Sequence, residues 1–70
     1  MNSSAKNLFK EINNSKTNNF LIDFSNVTFM SRAFAQEYLS QKYHTNKIIV
    51  EENVPYDVKR MLEVVKKDFK

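Results

Sequence analysis

Two short apolar runs separated by a helical stripe constrain this chain more than any other feature. Phe20-Leu21-Ile22-Asp23-Phe24 reads as one strand and Lys47-Ile48-Ile49-Val50, rich in β-branched residues, as a second. Between them Phe34, Ala35, Tyr38 and Leu39 share one face of a helix placed at 31–43, ended by His44-Thr45-Asn46. Strand, helix and strand in this spacing predict a right-handed parallel crossover. Because residues 20–24 are almost continuously apolar, the first strand is expected to be interior and covered on both faces.

Helical patterns flank this unit. Ala5, Leu8, Phe9 and Ile12 recur at intervals of three and four, so residues 3–14 read as a helix with Ser3 or Ser4 as cap and Asn13-Asn14 as stop. Val54, Val58, Met61, Leu62, Val65 and Phe69 form the stripe of a last, core-facing helix. Asn53 can cap it, with Pro55 in the first turn, where a missing N–H does no harm. The predicted order is α-β-α-β-α in a single domain spanning 1–70, with residues 13–19 as a connecting loop. Residues 1–18 could alternatively complete the sheet as a third strand. Without it, a two-stranded sheet has open edges, which invite a homodimer or a partner protein.

Composition removes several function classes. The chain contains no glycine, which excludes the phosphate-binding P-loop and the dinucleotide fingerprint, since both bring backbone close to phosphate through glycine. Asparagine is the next residue most tolerant of left-handed backbone, and Asn13-Asn14, Asn18-Asn19 and Asn46 fall where such punctuation is expected. The absence of cysteine removes disulfides and thiolate metal sites and suits a reducing compartment. No apolar run approaches the roughly 18 residues of a membrane span, and the first residues lack a secretory stretch, so the expected location is cytoplasmic.

The net charge of +3 is evenly spread, because residues 1–24, 25–46 and 47–70 each carry +1. Such mixing describes a solvated surface rather than a phosphate-binding face and disfavours nucleic acid as the partner. Tyr43 and Tyr56, beside Lys42 and Lys59, keep a small nucleic-acid-associated regulator as the alternative.

Catalytic chemistry is sparse. His44 is the only histidine and has no Ser/His/Asp or metal-binding companions at useful spacing, so it reads as a helix-end residue. Glu51-Glu52 follows a strand and is a weak candidate for a divalent cation, read more simply as a solvated strand end. Met30 and Met61 read as core fillers. The expectation is therefore no enzyme, no metal and no cofactor. Asp23 ends an apolar strand at its carboxyl end, where open α/β sheets place functional groups, although an aspartate there also accepts N–H bonds from turn residues such as Ser25 or Asn26.

The stretch Leu21-Ile22-Asp23-Phe24-Ser25-Asn26-Val27-Thr28-Phe29-Met30-Ser31 resembles the central segment of STAS domains, the module of sulfate transporters and anti-sigma-factor antagonists. The continuation Ser31-Arg32-Ala33-Phe34-Ala35-Gln36-Glu37-Tyr38-Leu39 resembles a compact STAS-like variant family more closely, and the resemblance extends over residues 19–66. It implies docking onto a partner such as a histidine-kinase-like ATPase or serine kinase, with release when a hydroxyl at the helix start is phosphorylated. Here Ser31, Arg32, Ala33 and Phe34 occupy the positions of the family's Asp, Ser, acceptor and Gly, so the acceptor is lost. Ser31 is the surrogate phosphorylation candidate and equally an ordinary N-cap.

The resulting expectation is a STAS-like, non-catalytic interaction module of regulation. Its partner-binding residues would be Asp23, Ser25, Asn26, Ser31 and Arg32, with Gln36 flanking. A homodimer through a sheet edge is expected as well, and an oligomeric structural subunit is a further alternative.

Overall fold

The structure, a computed structural model, describes residues 5–69. The elements run α1 (Ala5–Asn14), β1 (Asn19–Asp23), α2 (Arg32–His44), β2 (Ile48–Glu52) and α3 (Tyr56–Lys66), the α-β-α-β-α order expected from hydrophobic spacing. β1 and β2 form a parallel two-stranded sheet in which Asn19 lies beside Ile48, Leu21 beside Val50 and Asp23 beside Glu52. The segment before β1 is a helix rather than a third strand. Its cap candidates Ser3 and Ser4 lie outside the described residues.

The expectation that β1 is covered on both faces is wrong. All three helices belong to one layer, and burial alternates along both strands. Phe20, Ile22 and Ile49 face the helices, whereas Leu21, Ile48 and Val50 stay 58%, 60% and 49% exposed on the other face. A continuous apolar run satisfies a covered strand and a half-open one equally, because alternate side chains leave on opposite faces.

Helix punctuation also differs from expectation. Asn53 is the one non-glycine residue with positive φ among the described residues, at 55°, so Asn13-Asn14, Asn18-Asn19 and Asn46 are not left-handed. Neither preceding helix end requires that conformation. α1 closes with the Ser15 N–H donating to the Ile12 carbonyl at 3.2 Å, and α2 with the extended Thr45 donating to the Gln41 carbonyl at 3.1 Å. Asn13 instead accepts a hydrogen bond from the Thr45 hydroxyl, joining the ends of α1 and α2. At α3 the cap is Pro55, not Asn53; Pro55 is extended, and its carbonyl receives the Lys59 N–H at 2.9 Å. The tight bend from β2 takes Asn53 into the left-handed region before the helix can start. α3 ends at Lys66, but Asp68 and Phe69 continue in tight turns that hold Phe69 edge-on to Tyr43, with centroids 5.5 Å apart.

Tyr38 lies at the centre of the core. From α2 its ring meets Phe9 of α1 at 5.7 Å, Phe24 at the end of β1 at 5.9 Å and, within α2, Phe34 at 6.5 Å. Its hydroxyl donates to Glu51 of β2, which also receives Lys42 Nζ at 3.0 Å. Burial and the adjacent carboxylate hold the phenol well above its ordinary pKa of 10.0, so it remains a donor. Phe9, Val58 and Val65 are the other large side chains that are fully buried.

Replacing Tyr38 by alanine therefore removes packing from three elements together. A loss of about 3–5 kcal/mol is expected for such a truncation, comparable to the whole stability of a core this size. Tyr38→Ala should be unfolded at 25 °C by circular dichroism. Tyr38→Phe, which keeps the ring, should stay folded with about 1 kcal/mol less stability in urea titration.

Candidate functional site

The loop from β1 to α2 is built by three local devices. Asp23, the last residue of β1, accepts the Ser25 N–H at 2.9 Å and the Asn53 amide at 3.2 Å on the same oxygen, Oδ1. The left-handed backbone of Asn53 sets that amide opposite the end of β1. The Val27 N–H then donates to the Phe24 carbonyl at 3.0 Å and closes the turn containing Ser25 and Asn26. At the far end Ser31 is the N-cap of α2: Oγ accepts the Phe34 N–H at 3.1 Å, and its carbonyl takes the Ala35 N–H at 3.0 Å.

Between these anchors the chain frames an apolar groove of about 390 Å³ at the carboxyl end of β1. Its walls come from Leu8 of α1, Ile22 and Phe24, the loop residues Val27 and Met30, and Phe34 of α2. Met30 is buried, as expected of a core filler, but Phe29 stands 76% exposed beside it at the rim. Asp23 and Ser31 supply polar atoms to the same groove.

The residues singled out from sequence fall into two groups. Asp23, Ser25, Asn26 and Ser31 lie along the turn and groove, the first and last as lining residues. Arg32 and Gln36 belong to a different surface. Arg32 Nη2 pairs with Asp68 Oδ2 at 3.0 Å beyond the end of α3, with both side chains more than half exposed. Gln36 borders a shallow depression together with Asp68 and Phe69. Leu8, Phe29 and Phe34 escaped the sequence reading as site residues. No periodic pattern spans the loop, so the sequence offers no signal that separates exposed Phe29 from buried Met30.

The electrostatics of the turn are those of a structural carboxylate. The Ser25 N–H, the Asn53 amide and the Ser25 hydroxyl all favour the charged form and lower the Asp23 pKa below its ordinary 3.8. The Glu51-Glu52 pair does not converge. Glu51 faces the helices and is occupied by Tyr38 and Lys42, whereas Glu52 is exposed on the open face. Glu51 is thus not the solvated strand end expected. Among the described residues no cluster of three His, Cys, Asp or Glu side chains could hold a metal ion. His44 is exposed, with Nδ1 2.7 Å from the Ser40 carbonyl, as a helix-end histidine. No helix among the described residues is long and apolar enough to cross a membrane.

Comparisons of the chain with known protein families, with curated proteins and with solved structures found no match.

Two outcomes follow from this geometry. Ser31→Ala should lower stability by about 1 kcal/mol in urea unfolding, the usual effect of losing a serine cap, whereas Ser31→Asp should largely preserve it. For Asp23, a depressed folded pKa means that the carboxylate's contribution is fully present above the ordinary value and is lost as pH falls through the lower folded value. In a carboxyl NMR titration of wild type, Asp23 should titrate below 3.8, and Asn53→Ala should move its midpoint upward.

Proposed function

We propose that this chain is a non-catalytic protein-interaction module of the STAS-like kind, which docks a regulatory partner through the β1–α2 turn and the groove beside it. The observation that carries this reading is Phe29, a large apolar side chain 76% exposed at the mouth of an apolar groove. An aromatic anchor next to a pocket, rimmed by hydrogen-bonding groups, is the usual make-up of an interaction hot spot. Here the rim is formed by Asp23, Ser25, Asn26 and Ser31. Arg32 and Gln36 are on the neighbouring surface and would be reached only by a partner that extends along the exposed start of α2.

The sequence resemblance favours a histidine-kinase-like ATPase or a serine kinase as the partner. Ser31 supports a regulatory variant of this reading, because its exposed hydroxyl is at the first turn of α2 and on the groove. A phosphate there would add a dianion to the rim and oppose docking on an acidic surface. Its cap role stands whether or not it is modified.

The test is affinity purification from nuclease-treated native lysate with three baits: wild type, Phe29→Asp and Lys59→Glu. Lys59 is on α3 and does not line the groove. The expected result is a kinase or ATPase held by wild type and Lys59→Glu, with at least about tenfold less recovered by Phe29→Asp, as for loss of a hot-spot residue. Identical recovery with all three baits would exclude this surface, and steeply salt-dependent binding of added nucleic acid by the purified wild-type chain would favour the alternative class.

A further inference from the structure

β1 has one neighbour, β2, and its other edge pairs with no strand among the described residues. The bonds from the Ile48 N–H to the Asn18 carbonyl and from the Phe24 N–H to the Glu52 carbonyl fix which peptide groups point into the sheet. Alternation then directs the N–H and C=O groups of Asn19, Leu21 and Asp23 to the free edge. That edge contains no proline, lysine or bulge, three of the devices by which natural sheets block edge pairing, and its one charge, Asp23, is at the end of the strand.

From this we infer that the partner of the β1 edge is a second copy of this chain, paired antiparallel about a two-fold axis through Leu21. In that register Leu21 exchanges both of its backbone hydrogen bonds with Leu21 of the other copy, and Asn19 and Asp23 exchange theirs reciprocally, so every outward peptide group of the strand is used. Side chains meet their own kind of surface. Leu21 meets Leu21 on the open face, Phe20 meets Ile22 on the helix face, and the Asn19 amide meets the free oxygen of the Asp23 carboxylate, whose Oδ1 is already occupied. The product is a four-stranded sheet in which the half-exposed Leu21, Ile48 and Val50 of both copies form one continuous apolar surface.

The β2 edge fits this role less well. Its outward peptide groups belong to Ile49 and to the charged residues around it, Lys47 and Glu51. Pairing there would set Lys47 against Glu51 only after both gave up existing partners. Lys47 Nζ is held by the Ser15 and Thr17 carbonyls at 2.8 and 2.9 Å, and Glu51 is held by Tyr38 and Lys42. An edge of five residues buries less than a standard interface, so the dimer is expected to be weak and concentration-dependent.

Asp23 is common to the edge and the groove rim, but the inference does not depend on the docking reading, since Leu21 is not part of the groove and Phe29 is not part of the edge. The test uses the full chain in sedimentation equilibrium from micromolar to millimolar concentration. Wild type should rise from 8.3 kDa toward twice that mass. Leu21→Lys places like charges directly opposite and should weaken association by at least about tenfold. Val50→Lys, at a comparably exposed position on β2, should change it by less than about twofold under the same rule. Because the chain has no cysteine, Leu21→Cys and Val50→Cys also report the register directly: mild oxidation should cross-link the former as a dimer much faster than the latter. A strict monomer at millimolar concentration overturns the inference. So does cross-linking of Val50→Cys at an equal or greater rate, which would indicate face-to-face stacking or β2 pairing.

Discussion

Tyr38 is the contact on which the rest of this structure depends. A chain with no glycine, no disulfide and a two-stranded sheet has few ways to hold its elements together. One residue of α2 reaches α1 through Phe9, the end of β1 through Phe24 and β2 through Glu51. The polar end of the ring matters as much as its area. By donating to Glu51, which Lys42 also holds, Tyr38 allows a carboxylate to face the helix layer without an unsatisfied partner. The loop after β1 is then anchored at Phe24 and Met30, with Val27 packed against the core between them and Thr28 and Phe29 exposed.

From that arrangement come the two surfaces proposed for binding. The helices all pack on one side, so the sheet retains an open face and two free edges. The loop that links β1 to α2 must pass over the core between Asp23 and Ser31, and it closes most of the space beneath it but leaves the groove. Asp23 fixes the start of the loop through Ser25 and Asn53, and Ser31 fixes its end through Phe34. The turn is anchored at both ends, and between the anchors it carries Phe29 at the mouth of the groove.

Much of the fold was legible in the sequence because helix stripes of spacing three and four have few other interpretations. Ala5, Phe9 and Ile12, then Ala35, Tyr38 and Leu39, then Val58, Leu62 and Val65 are all buried as their spacing implies. What could not be read was one-sidedness: Phe20-Leu21-Ile22 is equally apolar on both faces, and only the placement of helices decides which face is covered. The roles of Glu51 and Asn53 were hidden for a related reason. Each depends on a residue far along the chain, Tyr38 and Asp23, brought close by the parallel crossover. Of the candidate site, the local hydrogen bonds of Asp23 and Ser31 were anticipated, while the groove was not, since Leu8 and Phe34 read as core positions and enter it from different helices.

A core organised by Tyr38 carries the fold and leaves the β1–α2 turn to project from it. Residue-resolved amide hydrogen exchange tests it most directly. The inter-strand amides of Phe20, Ile22, Val50 and Glu52 and those of α2 around Tyr38 should share the slowest exchange, opening together in global unfolding, while Thr28, Phe29 and Met30 exchange much faster through local opening. Slow exchange at 28–30, matching the core, would mean that the turn is part of the folding unit. Fast exchange in the strands while α2 stays protected would mean that Tyr38 does not couple them. Either result would contradict a core organised by Tyr38.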